Sequence, residues 1–122
     1  MSTGTSHQSE FERLPPMSHY VLGLLWRVPT APKRTSAEAD ALQEAHMGHL
    51  RRLREAGHLL ALGPLEDSPD LRGVMVFQTD SPDAARKLME TDPLVGGGFL
   101  KLDLYRWFAP ATLRTTSQSA PE

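Results

Sequence analysis

The chain has 122 residues, with 13 basic and 15 acidic side chains, a formal net charge of −2 and no cysteine. This length has room for one hydrophobic core. Without cysteine there can be no disulfide, thiolate metal ligand or cysteine nucleophile. Basic residues cluster only at Arg51, Arg52 and Arg54, which fits a solvated helix face better than a nucleic-acid surface. We therefore expect a single domain with no nucleic-acid partner.

Both ends of the chain are polar. Residues 1–17 and 110–122 are rich in Ser, Thr, Gln, Pro and Glu, and are predicted to be disordered tails around a domain at residues 18–109. The first residues lack the apolar core and basic start of a secretory signal. No apolar run approaches the ~20 residues needed to span a bilayer. A cytoplasmic protein without a membrane partner is the expectation.

The first half of the domain predicts a strand, a loop and an amphipathic helix. Residues 19–27 are apolar on both alternating faces, as in a central strand. Two prolines mark the loop, and Thr35 with Glu38 has the capping-box spacing that begins a helix over residues 36–56. Residues at three- and four-residue steps predict its inner face: Leu42, Ala45, His46, His49, Leu50 and Leu53.

The second half predicts two paired strands, a short helix and a last strand. The two middle strands are joined by a polar turn and should form an antiparallel hairpin. Ser81 and Pro82 suit the start of the helix, which ends before Pro93 because a residue preceding proline avoids the helical region. The predicted elements are strands at 58–65 and 72–79, a helix at 82–91, a glycine-rich loop at 94–98 and a strand at 99–108.

The predicted order is β-α-β-β-α-β, which is the ferredoxin-like plan of the α+β class. In this plan both helices cover one face of a four-stranded sheet. The first strand is apolar on both faces, so the second face of the sheet should be buried as well. A homodimer that packs sheet against sheet is the simplest arrangement that would bury it.

Two side chains are the main candidates for chemistry. His46 lies on the predicted inner face of the first helix, and imidazole can take or give a proton near physiological pH. Asp92 precedes Pro93, and a carboxylate bonded to an imidazole fixes the tautomer of the ring and stabilises its protonated form. Two other interpretations stay open: His46 is a core histidine bonded to a backbone carbonyl, and Asp92 caps the turn around Pro93.

Other polar and glycine positions would surround such a pair. His49 is three residues beyond His46; the two could share a metal, but two nitrogens are only half a site, and we predict no metal. His49 is instead expected on the pocket wall. Gly63 and Pro64 end a strand and would narrow a pocket, and Gly98 belongs to a flexible turn at its mouth. The glycines lack the following helix and lysine of a phosphate loop, and no other cofactor motif is present.

Several of these motifs together resemble the YciI-like (YCII-related) family over residues 19–108. The motifs are His46, Leu50, Leu53, Gly57 and the following LLALGPL, then Gly73, Ser81, Asp92-Pro93, Gly98 and a last strand that ends in Trp107. The resemblance implies a dimeric α+β barrel of ferredoxin-like subunits. It also implies a pocket that carries a histidine and an aspartate, and matching by motif assigns these to His46 and Asp92.

The resemblance implies small aromatic or lactone substrates, because a related member is a dehydrochlorinase and the wider superfamily includes muconolactone isomerases. One departure is the loop at residues 28–35, which is longer than the family spacing and could change the pocket rim. Two functions remain open. The first is a cofactor-independent enzyme that isomerises, hydrolyses or eliminates from a small molecule; the second is a non-catalytic dimer that binds a metabolite.

Overall fold

A computed structural model describes residues 15–111 and residue 113, so nearly all of both predicted tails lies outside the described residues. Within the described part, four strands and three helices follow one another along the chain. They are β1 (Met17–Arg27), α1 (Ser36–Glu55), β2 (Leu59–Pro64), β3 (Leu71–Phe77), α2 (Pro82–Met89), α3 (Pro93–Gly96) and β4 (Leu100–Pro110). The ferredoxin-like order is confirmed, with α3 as an additional short helix.

Helix α1 begins at the predicted capping box. The Thr35 hydroxyl accepts the Glu38 N–H at 3.1 Å, and the Glu38 carboxylate accepts the Thr35 N–H at 2.8 Å. The backbone N–H of Thr35, and after it the Thr35 side chain, stabilise the Glu38 carboxylate and hold the pKa of this carboxyl below its usual range. The helix ends just before Gly57, whose φ of +85° is the left-handed conformation expected of a stop.

The buried stripe of α1 decides what the helix presents to the sheet. It consists of His46, His49, Leu50 and Leu53. Ala45 was predicted to belong to this stripe, but it is exposed. At 100° per residue, Ala45 lies about 40° beyond His49 at the edge of the stripe, where the helix surface already turns to solvent. The prediction for this residue is wrong, and His46 lies nearer the centre of the stripe.

The sheet is antiparallel in the order β2-β3-β1-β4, so β1 is one of its two central strands, as its two apolar faces predicted. Its helix-facing side forms the main core with α1 and α2. The buried members of this core are Val21, Leu25, Leu50, Leu53, Leu59, Met75, Phe77, Ala85, Met89 and Leu102. Burial of these side chains is what fixes both helices on one face of the sheet.

The opposite, outer face of the sheet is only partly covered. Tyr20 and Val76 are buried there beside Ala109, with Leu113 packed against them. The Tyr20 hydroxyl lies 3.3 Å from the carbonyl oxygen of Pro110 and donates a hydrogen bond toward it. Farther along β4, however, large side chains of this face remain in solvent, with Trp107 40% exposed.

The segment after α2 differs from its prediction. A glycine-rich loop was expected at residues 94–98, but Pro93–Gly96 is a helical turn, α3. The prediction is wrong because the glycines in this segment do not prevent one helical turn from forming. Asp92 caps the turn and Pro93 occupies its first position, and both favour a helix start over an open loop. Asp92 therefore lies at the N-cap of α3, with an extended backbone.

Among residues 15–111 and residue 113, no helix is both long enough and apolar enough to cross a membrane.

Candidate active site

A cavity of about 360 Å³ opens between α1, α3 and one end of the sheet. This volume lies within the range of small-molecule sites in proteins. The cavity floor is the helix-facing side of the sheet, and α1 and α3 form its walls. The lining side chains are Leu25, Arg27, Arg34, Gln43, His46, Met47, Leu50, Leu62, Gly63, Pro64, Arg72, Gly73, Val74, Met75, Leu94, Phe99 and Leu100. Most of this surface is apolar, and the described residues that line it include no aspartate or glutamate.

His46 and Asp92 meet at the inner wall of this cavity. The Nδ1 atom of His46 lies 2.7 Å from Oδ1 of Asp92. The aspartate is fully buried and the histidine is only 6% exposed. A carboxylate can only accept hydrogen bonds, so Nδ1 of the imidazole carries the proton and donates it to Oδ1. The two residues predicted as a pair are therefore in contact.

Asp92 is held in place by the start of α3. Its second carboxylate oxygen, Oδ2, accepts the backbone N–H groups of Leu94 and Val95, each at 3.1 Å. The side chain thus caps α3 with one oxygen and orients His46 with the other. The sequence left these two roles as alternatives, whereas in the fold a single carboxylate performs both.

The second nitrogen of His46 is directed to the cavity. His46 belongs to the lining, and its Nε2 atom has no hydrogen-bond partner among the described residues. The only buried side-chain polar atom without a partner in that part of the chain is Nε1 of Trp26, so Nε2 of His46 reaches the cavity space. With the proton on Nδ1, Nε2 presents a free lone pair to whatever occupies the cavity.

The other predicted site residues divide into two groups. Gly63 and Pro64, at the end of β2, line the cavity. His49 and Gly98 are not part of its lining. The Nε2 atom of His49 lies 2.8 Å from the carbonyl oxygen of Leu88, which ties α1 to α2, and Gly98 is an exposed residue with a φ of +81°.

Three arginines at the cavity were not singled out from the sequence. Arg27 ends β1, Arg34 belongs to the loop before α1, and Arg72 lies near the start of β3. The sequence indicated these arginines only indirectly. Arg34 lies on the loop expected to alter the pocket rim, but Arg27 and Arg72 come together only through the pairing of β1 with β3.

Metal binding was the competing interpretation of His46 and His49. Each ring already has a nitrogen engaged, His46 with Asp92 and His49 with a backbone carbonyl. Within the described ranges, no group of three or more His, Asp or Glu side chains is arranged to hold a metal ion. The two histidines therefore have separate environments.

The fold and this cavity define an α+β domain of ferredoxin-like topology with a buried histidine–aspartate pair. The model of the YCII-related domain matches residues 25–107, and the chain belongs to that family. Among solved structures the chain is similar to the 5-chloro-2-hydroxyhydroquinone dehydrochlorinase of Burkholderia phenoliruptrix AC1100 in complex with 2,5-dihydroxybenzoquinone. That match has 21% identity and a TM-score of 0.47, and covers 70% of this chain and 92% of that chain. No curated protein matches the chain.

Proposed function

We propose that this protein is a cofactor-independent enzyme that moves a proton on a small molecule bound in the cavity, with His46 as the proton carrier. One observation carries the proposal: His46 donates Nδ1–H to a buried carboxylate at 2.7 Å while its other nitrogen faces the cavity. Membership of the YCII-related domain family supports a small-molecule function for the same cavity.

The roles of the two residues follow from their chemistry. Neutral imidazole at Nε2 accepts a proton from the substrate or from a water, and the adjacent Asp92 carboxylate stabilises the imidazolium that forms. Return of that proton to another substrate atom gives an isomerisation, whereas loss of a leaving group gives an elimination. Activation of a water gives a hydrolysis. The apolar lining suits a small cyclic or aromatic body, because such a surface is stabilised when removed from water.

Replacement of His46 with glutamine tests this function. The glutamine amide can still donate to Asp92, so the fold is expected to persist while proton transfer slows by about 10²–10⁴-fold. A panel of small lactones and halogenated cyclic compounds would be incubated with the protein in D₂O. NMR spectra would report both deuterium exchange at carbon and product formation.

The exposed His58 provides a matched control, since His58→Gln makes the same chemical change away from the cavity. This control should react at the wild-type rate. If His46→Gln also turned over a substrate at the wild-type rate, His46 would not be the proton carrier. A compound that binds in the cavity and is never turned over by the wild type would favour the non-catalytic metabolite-binding dimer.

We also propose that two copies of the chain pack through the outer face of the sheet. Trp107 projects from that face opposite Tyr20, whereas the neighbouring Phe108 projects from the other side. Sedimentation should give a dimer for the wild type and for Phe108→Lys, but a monomer for Trp107→Lys, because a charge would be buried in the interface. A monomeric wild type would contradict the dimer.

The cytoplasmic location expected from the sequence stays a prediction, which fractionation of cells that express the protein would check.

A further inference from the structure

The side chains that line the cavity include several basic groups. Among the residues that the structure describes, three arginines, Arg27, Arg34 and Arg72, belong to the lining, and no aspartate or glutamate does. Asp92, which contacts His46, is fully buried and is engaged by three N–H groups. We propose that the cavity selects a small carboxylate, whose anionic group is held at Arg34 and Arg72 and whose cyclic, apolar body extends toward His46. This inference rests on the proposed function.

The three arginines do not have equal freedom to bind a ligand. Arg27 already pairs with Asp70 at 3.1 Å. For Arg34 and Arg72, the described residues offer no acidic group within ion-pair distance. Because both guanidinium groups border the same cavity, an anion placed there would have two partners available without breaking an existing ion pair.

Phe99 fixes the position of one of these groups. The guanidinium carbon of Arg34 lies 4.5 Å from the centroid of the Phe99 ring, which is within range for a cation–π contact. Phe99 itself lines the cavity just after α3. A stacked guanidinium keeps its N–H edges free, and that planar edge matches the two oxygens of a carboxylate. The loop before α1 thus supplies a charge that contacts Phe99 at the cavity, between α3 and β4.

A carboxylate fits these groups better than a phosphate does. Phosphate sites in proteins commonly use backbone N–H groups at a helix N-terminus. The N-terminus of α3 is occupied by Asp92, and that of α1 is occupied by its own capping box with Glu38. The side-chain donors of the lining include the guanidinium groups of Arg34 and Arg72 and the amide of Gln43. The apolar walls, formed by residues such as Leu50 and Met75, favour a ring behind the anionic group.

Equilibrium binding tests the inference without requiring a known reaction. The probes are benzoate and 2-naphthoate, their neutral amides benzamide and 2-naphthamide, and phenyl phosphate. NMR titrations of the ¹⁵N-labelled protein would follow cavity amides such as those of Gly63 and Gly73. At least one carboxylate should bind with a Kd of about 1 mM or lower, and roughly tenfold more tightly than its amide. Affinity should fall as salt is added.

Charge-removing variants assign the effect to the two arginines. Arg34→Gln and Arg72→Gln should each weaken carboxylate binding by roughly two- to five-fold, and the double variant by about tenfold, as expected for solvent-exposed charge pairs. Amide binding should not change. Arg51→Gln is the matched control, because Arg51 is exposed on α1 and does not line the cavity.

The inference is overturned if neither carboxylate binds, if the amides or phenyl phosphate bind as tightly, or if the double variant and Arg51→Gln behave alike. A different result would rule out the proposed function. His46→Gln should retain carboxylate binding. A protein that binds carboxylates selectively but never turns a substrate over would therefore keep the carboxylate site and lose the proposed enzyme activity. Turnover that depends on His46, without any preference for carboxylates, would support the enzyme and rule out the carboxylate site.

Discussion

Replacement of Asp92 with asparagine is expected to invert the tautomer of His46 and to slow turnover by roughly 10⁴-fold, the size of effect known for the same change in a serine-protease triad. The reason lies in the two N–H groups at the start of α3. They require an acceptor where Oδ2 of Asp92 now accepts from Leu94 and Val95. In the variant the amide oxygen takes that place, so the amide NH₂ group points at Nδ1 of His46.

An amide NH₂ group beside Nδ1 changes the tautomer that the His46 ring can adopt. Nδ1 must then accept a hydrogen bond, so the ring proton moves to Nε2, the nitrogen that faces the cavity. A protonated Nε2 cannot take a proton from a bound molecule. The variant also loses the carboxylate that would stabilise the imidazolium. Since all the hydrogen bonds around residue 92 can still form, the cost in folding free energy should stay within about 1–3 kcal/mol.

Long-range ¹H–¹⁵N correlation spectra of the imidazole nitrogens would identify the tautomer directly. The wild type should show the Nδ1–H form and Asp92→Asn the Nε2–H form, at a pH where the ring is neutral. Asp83→Asn is the control, because Asp83 is exposed in the first turn of α2. An unchanged tautomer in Asp92→Asn, or a variant that loses stability but keeps full turnover, would mean that Asp92 only holds the two helices together.

The spacing of residues predicted each half of this pair but not their contact. The stripe of α1 placed His46 inward, and the Asp92-Pro93 dipeptide predicted a cap at the end of α2. The two residues are 46 positions apart in the chain, so their contact depends on how α1 and α3 pack over the same sheet. Local patterns describe one element at a time, whereas this hydrogen bond belongs to the packing between elements.

The arginines of the cavity are a second case in which local sequence patterns do not predict contacts between elements. Arg27 and Arg72 lie far apart in sequence and become neighbours through the antiparallel pairing of β1 with β3, where Trp26 pairs with Leu71. That register contains an irregularity between Leu25 and Trp26, which no pattern in the sequence signals. Arg34 belongs to the loop before α1, and its guanidinium group contacts the ring of Phe99, far along the chain. A cavity lined by all three could therefore be identified only from the fold.

The core that supports the site contains an interlocking pair whose disruption should cost the most stability. Phe77 on β3 is fully buried, and a Cβ built on Gly23 of β1 would come within 3.0 Å of its Cε2 atom. Phe77→Ala should lower the free energy of unfolding by about 3–5 kcal/mol, since a buried ring is removed and a void remains. Gly23→Ala should cost about 1–3 kcal/mol because it overpacks the same space.

The double variant distinguishes this interlock from two independent defects. Without the ring, the added methyl group at position 23 would no longer clash, and it would fill part of the void. The two costs should therefore fall short of their sum by roughly 1–2 kcal/mol, as expected for coupled neighbours. Urea unfolding of the wild type, the two single variants and the double variant measures each free energy of unfolding. Leu53→Ala, a core substitution on α1, is the control for a buried side chain removed elsewhere in the same core. Additive costs would show that glycine is required at position 23 for a reason other than the ring of Phe77, such as the nearby Leu102 and Leu104 side chains.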